Sequence, residues 1–200
     1  MEEVAFDDLV TTIADATRKA LIELFESGER FYYFALITNS DTVLAPFVSA
    51  WSWESLAEEM DDEDNEDYDE ESLKWSWADS PYNGFGNADF GFEEHFEKVK
   101  SIWGKLPDMG EIFYNDELND DESHELWEKH FNFRIDAMVA ALKQLDDEGM
   151  FAKKQPREEI FVNVEVMDGY ENIKRALLLN PESTVQEYLV EGYYSDDGRR

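Results

Sequence analysis

Arg30–Ser49 reads RFYYFALITNSDTVLAPFVS, and how this stretch folds decides the architecture. Phe31 to Ile37 are all apolar or aromatic, Asn39-Ser40-Asp41 supplies turn chemistry, and Val43–Val48 resumes the apolar pattern. Two strands joined by a turn, apolar on both faces, fit the middle of a sheet covered by helices better than a sheet with one face in water.

Upstream, Val4–Ser27 carries Val4, Leu9, Ile13, Ala16, Ala20, Leu21 and Leu24 at three- and four-residue spacings. This predicts an amphipathic helix, with Gly28 just past its end as a cap. Downstream come Trp51-Ser52-Trp53 and a short helical piece, Glu54–Met60. The acidic run Glu58–Glu71 follows, in which eleven of fourteen residues are Asp or Glu. Like charges at that density repel, so a solvated loop, or the frayed end of the preceding helix, is expected. Trp75-Ser76-Trp77 follows it. Residues two apart on a strand share a face, so two extended WSW triplets would each present a pair of indoles, with the acidic run connecting neighbouring strands.

Ser80–Gly91 is rich in Pro, Gly and Asn and reads as a loop. Helices are expected over Phe92–Leu106 and Glu122–Asp147, with a short strand at Glu111–Tyr114. In Glu159–Val166, Ile160, Val162, Val164 and Val166 alternate with Phe161, Asn163 and Glu165, the pattern of a half-covered strand. Glu171–Leu179 is helical, and Asn180-Pro181 reads as the start of a last helix. The expected fold is α+β: a mainly antiparallel sheet of about four to five strands with helices packed on it. One domain spans residues 1–200, with an acidic loop at 58–71 and a frayed tail at 195–200.

The hydrophobic fraction, 42%, supplies ample core, and no apolar run approaches the roughly 20 residues of a membrane span. The start, MEEVAFDDLV, has no basic segment and does not read as a secretory signal. Cysteine is absent, which excludes disulfides and thiolate metal sites and fits a cytoplasmic setting. The outlying feature is the formal charge of −32. It disfavours nucleic-acid backbone and anionic membrane surfaces, and favours a basic protein partner through long-range attraction.

Catalytic and metal chemistry finds little support. HELWEKH places His124 and His130 six residues apart, about 600° around a helix, so the rings face different ways and do not form a zinc pair. Asp61, Glu63 and Asn65 alternate as in a calcium loop, but Glu66 stands where the sharp turn needs Gly. There is no G-x-S-x-G elbow and no phosphate loop, and Asn83-Gly84-Phe85-Gly86 lacks the third glycine of a dinucleotide motif. No catalytic residue, metal ligand set or cofactor is implied.

The acidic surface remains. Glu58, Glu59, Asp61, Asp62, Glu63, Asp64, Glu66, Asp67, Asp69, Glu70 and Glu71 could occupy a Lys/Arg cleft on a partner. Tyr68, Trp75, Trp77 and Tyr82 would then supply apolar anchors. The plain alternative is a solvated, idle loop.

FYYFALIT after the first helix, LKWSWADSPY, ALKQLDDEGMF, EIFVNVEVMD and KRALLLNP occur in this order. Together they resemble an uncharacterised bacterial domain family of unknown function, DUF4303. That family offers no catalytic residues to carry over. The resemblance implies a single-domain bacterial cytosolic protein, and small acidic proteins of this kind are similar to immunity proteins encoded beside toxins. The acidic run is a departure from the family pattern. The leading expectation is therefore an immunity or inhibitor protein, not an enzyme, that neutralises a toxin with a basic surface. The alternative is a small-ligand binder or enzyme with an aromatic pocket near Trp75 and Tyr82, lined also by Trp77 and Phe85 beside the 80–91 loop.

Overall fold

The computed structural model describes residues 4–41, 43–61, 70–115, 117–169 and 171–190. Helix α1 (Phe6–Glu26) precedes strand β1 (Phe31–Thr38), which forms a hairpin with β2 (Phe47–Ser52). The antiparallel register runs from Ile37 opposite Phe47 to Phe31 opposite Ser52. The second strand starts four residues later than the apolar pattern suggests, because the backbone of 43–46 is engaged by side chains. Thr38 Oγ1 donates to the Leu44 carbonyl at 2.8 Å, Leu44 N–H donates to Asn39 Oδ1 at 2.9 Å, and Trp103 Nε1 donates to the Val43 carbonyl at 2.6 Å. Pro46 has no N–H to offer a ladder.

Helices α2 (Trp53–Met60), α3 (Glu70–Lys74), α4 (Glu97–Trp103), α5 (Met109–Phe113) and the long α6 (Asp120–Asp147) lead to strand β3 (Phe161–Val166). Helices α7 (Asn172–Leu179) and α8 (Glu182–Tyr188) follow it. The fold is α+β, but the expected four to five mainly antiparallel strands are corrected, among the described residues, to three in a mixed sheet, in the order β2-β1-β3. β3 lies parallel to β1, from Tyr33 opposite Phe161 to Thr38 opposite Val166.

Side chains of α7 explain why this sheet edge takes no further strand. Asn180 accepts from Val162 N–H at 2.7 Å and donates to the Val162 carbonyl at 2.6 Å. Asn172 does the same for Val166, at 2.9 and 3.2 Å. Arg175 Nε donates to the Val164 carbonyl at 2.7 Å. An amide side chain presents the same donor–acceptor pair as a peptide group, so the helix covers the edge as a neighbouring strand would. Asn180 is accordingly the C-cap of α7 rather than the N-cap of the next helix.

The two faces of the sheet differ. One is mainly apolar: Phe34, Leu36, Val48, Ala50, Val162 and Val164 pack in the same core as α1 and α6. The other carries Tyr33, Ala35, Ile37, Phe47, Trp51 and Phe161 against residues of α2, α3, α7 and α8. Because helices cover both sides, all six residues of β3 are buried, not half of them.

Two further expectations are corrected. Glu111–Phe113 belong to helix α5 and Tyr114 is its C-cap; the helix is started by Asp108, whose carboxylate accepts from the N–H groups of Gly110 and Glu111 at 2.8 and 3.1 Å. The WSW triplets are not two strands. The first straddles the β2–α2 boundary, where Ser52 forms a capping box with Ser55. The second forms the turn after α3.

Candidate functional site

An irregularity in β1 builds the site. The β1–β2 register shifts between Phe31 and Tyr33, leaving Tyr32 as an extra residue. A bulge re-aims a side chain, so Tyr32 and Tyr33, adjacent in sequence, both enter the mixed core on one face of the sheet. Their ring centroids lie 6.0 and 6.4 Å from that of Trp75. Tyr32 also lies 4.3 Å from Trp53, and its hydroxyl donates to the Lys74 carbonyl at 2.9 Å. Burial, and then the charge of Glu70, raise the Tyr32 phenol far above its ordinary pKa, so it stays a donor.

Lys74 completes this arrangement. Its side chain is buried, yet its ammonium sits 5.1 Å from the centre of the Trp53 ring and 5.2 Å from that of Trp75, and binds Glu187 Oε1 at 2.7 Å. Two indole faces and the Glu187 carboxylate thus lie around the ammonium. The surrounding cleft has a volume of about 360 Å³. Tyr32, Trp53, Trp75 and Phe161 form its aromatic walls, and Glu158, Glu159 and Glu187 are its acids. Trp53 is 37% exposed, so the cleft presents an indole to solvent.

Deeper on the same face is a buried polar group. Glu165 is fully enclosed, and burial pushes its carboxyl up to about 7, although the Asn163 amide, the nearby Tyr33 hydroxyl and the charge of Arg175 act the other way. Arg175 is oriented by Asn172, bound through Nη2 at 2.6 Å. The Tyr33 hydroxyl is raised well above its usual value by burial and then by Glu165, and it has no well-aligned hydrogen-bond partner. Trp75 and Phe161 separate this group from the aromatic walls' outer side: Tyr33 stacks on Phe161 at 6.0 Å, and Phe161 stands 5.5 Å from Trp75.

The residues singled out from sequence divide sharply. Glu58, Glu59 and Asp61 lie at the C-terminal end of α2, with Glu58 and Asp61 exposed; Glu70 and Glu71 open α3. Asp62, Glu63, Asp64, Glu66, Asp67, Tyr68 and Asp69 fall outside the described residues. Trp75 lines the cleft. Trp77 instead packs beside Phe47 at 6.4 Å. Tyr82 and Phe85 lie in the other core, Tyr82 against Phe31 at 5.4 Å with its hydroxyl on Glu29 at 2.6 Å. The four aromatics proposed for one pocket are therefore not brought together.

Sequence reasoning misses Tyr32, Lys74 and Glu187, and takes Trp53 only as one indole of a WSW triplet. Only a bulge aims Tyr32 at Trp75, and Glu187 arrives from the far end of the chain. A signal for Lys74 was nonetheless present: a lone basic residue between the acidic run and a tryptophan.

The model of a domain of unknown function, DUF4303, matches residues 13–181. The chain belongs to this family. No curated protein and no solved structure matches it. The matched DUF4303 region contains the whole sheet and every wall of the cleft except those from α8, Thr184 and Glu187, which lie beyond it. Among the described residues no helix is long and apolar enough to cross a membrane.

Proposed function

We propose that this DUF4303 chain is an acidic cytoplasmic binding protein, acting as an immunity or inhibitor protein that neutralises a bacterial toxin by occluding a basic surface. The supporting observation is the aromatic cleft lined by Glu158, Glu159 and Glu187 with a single base, Arg30; two of its walls, Trp53 and Trp75, stand at the start of α2 and just after α3. The net charge of −32 draws a basic partner in from a distance. Exposed Trp53 offers the desolvated aromatic contact that attraction alone lacks. The protein acts by binding, without cofactor or metal.

The test pairs the purified protein with the product of the neighbouring gene and follows association at increasing salt. The expected result is a fall in on-rate with ionic strength. Replacing the eleven acids of 58–71 by Ser and Asn should slow association far more than it speeds dissociation. An on-rate indifferent to both changes would remove the electrostatic mechanism.

A second reading, a small-ligand binder or an enzyme, draws on the same cleft, whose volume of about 360 Å³ falls within the range of small-molecule sites. A bound metabolite retained through native mass spectrometry would favour it.

A further inference from the structure

A second concavity lies where the connection from α4 to α5 meets α6. Its volume is about 660 Å³, and Leu106, Pro107, Ile112 and Leu126 are its apolar walls. Leu106, Ile112 and Leu126 pack with the core shared by α1 and α6, whereas Trp75 and Phe161 of the cleft belong to the core on the opposite face of the sheet. The groove is held in shape from behind. Arg134 of α6 is buried, its Nη2 donates to the Pro107 carbonyl at 2.6 Å, and its guanidinium lies 5.7 Å from the centre of the Trp103 ring. Asp108 fixes the start of α5 beside it. A site built this way keeps its form with nothing bound.

Two further features describe what fits. Phe113 is 54% exposed and Tyr114 88%, and Phe113, next to Ile112, stands 6.0 Å from Trp127, next to Leu126. Exposed aromatics beside a formed groove mark an interaction surface. The charges are mainly acidic: Asp108 and Glu111 face Lys105 in the lining, and α6 opens on exposed Asp120, Asp121 and Glu122. Glu122 precedes Leu126 by four residues and so shares its face of the helix.

We propose that this groove receives an extended basic segment of the partner, in which Lys or Arg alternates with apolar side chains. The apolar side chains enter between Leu106, Ile112 and Leu126, and the cations meet Asp108, Glu111 and Glu122. The proposal rests on the reading of the chain as a binder of basic proteins and adds a second contact to it. Because the sheet stands between groove and cleft, one flat surface does not cover both. The segment is therefore a tail or loop of the partner, and two-point attachment raises the overall affinity above that of either contact.

The experiment titrates the full chain with a peptide alternating lysine and leucine and follows the backbone amides of Ile112, Tyr114 and Asn115 with the indole N–H of Trp127. Two controls of equal length alternate lysine with glycine and glutamate with leucine. The lysine–leucine peptide should shift these signals, the glycine version should bind about tenfold more weakly, and the glutamate version should not bind. Glu111→Lys and Tyr114→Ala change exposed side chains, so the fold should survive, and each should weaken binding about threefold. Shifts confined to other surfaces, equal binding of the glycine peptide, or an unchanged affinity in both variants would each overturn the proposal. The same shifts on raising protein concentration alone would also overturn it, by assigning the groove to a second copy of the chain. Such a failure beside a salt-dependent on-rate to the partner removes the groove and leaves the proposed function standing. Loss of that salt dependence with peptide binding intact strikes the function and not the groove.

Discussion

Trp51 donates its indole N–H to the backbone carbonyl of Ser76 at 2.7 Å, and this bond, with that of Ser49 Oγ to the Trp77 carbonyl at 2.8 Å, fastens the turn after α3 to the side of β2. The segment entering the acidic run and the segment leaving it are thus held against each other by a buried tryptophan, although they do not pair as strands. Trp51→Phe keeps an aromatic ring but removes the donor and leaves a small void. Urea unfolding should show a loss of about 2–4 kcal/mol. A loss below about half a kcal/mol would mean the bond does not hold this turn.

Glu165 makes stability depend on pH. Its folded pKa, about 7, lies above the ordinary 4.5, so the folded chain binds this proton more tightly than the unfolded chain does. Its contribution is complete below pH 4.5, declines as pH rises towards 7 and is gone above that. Glu165→Gln removes this dependence, and comparing the two proteins subtracts the background repulsion of the other acids. The variant's relative stability should climb by about 3 kcal/mol between pH 4.5 and 8. A flat difference across that range would show that the carboxyl titrates normally.

Asn180→Ala strips both groups of Val162 of their partners at the sheet edge. An unpartnered buried backbone pair costs on the order of 2–3 kcal/mol. The Val162 amide should also lose hydrogen-exchange protection while Phe161, on the inner side of the same strand, keeps most of its own.

Gly84 has φ +82°, and a Cβ there would come within 2.1 Å of the Phe90 ring. Its N–H meets the Val48 carbonyl at 2.9 Å, so the loop cannot shift without releasing β2. Gly84→Ala should lower stability by about 1–3 kcal/mol, read as a lower melting temperature. The same change at Gly110, with only an Asp108 carboxylate oxygen at 3.1 Å, should cost less.

Much of this architecture is legible in the residues themselves. The β1–β2 hairpin, α1, α6 and the alternation of β3 all follow from apolar spacing. That alternation also sorts Val162, Val164 and Val166 from Phe161, Asn163 and Glu165 onto the correct faces. The direction of β3 does not follow, because a strand buried on both faces pairs equally well either way by composition. Helix α5 reads as a short strand by composition, although Asp108 stands ready as its cap. Of the candidate site, Trp75 was found by its chemistry. Tyr32 escaped because the bulge that turns it depends on tertiary pairing, and Glu187 escaped because it meets Lys74 across 113 residues.

The parallel pairing of β1 with β3 sets a chronology for the chain. Tyr33 waits for Phe161, 128 positions later, so the hairpin forms early with one flank of β1 open. Strand β3 and the helix that covers its outer edge are neighbours in sequence and arrive as a unit, already sealed on one side. Until then the open flank of β1 is a template for any extended segment, including the same strand of another newly made copy. A chain truncated before Phe161 keeps that flank open permanently, which makes it prone to association through strand exchange rather than simply less stable.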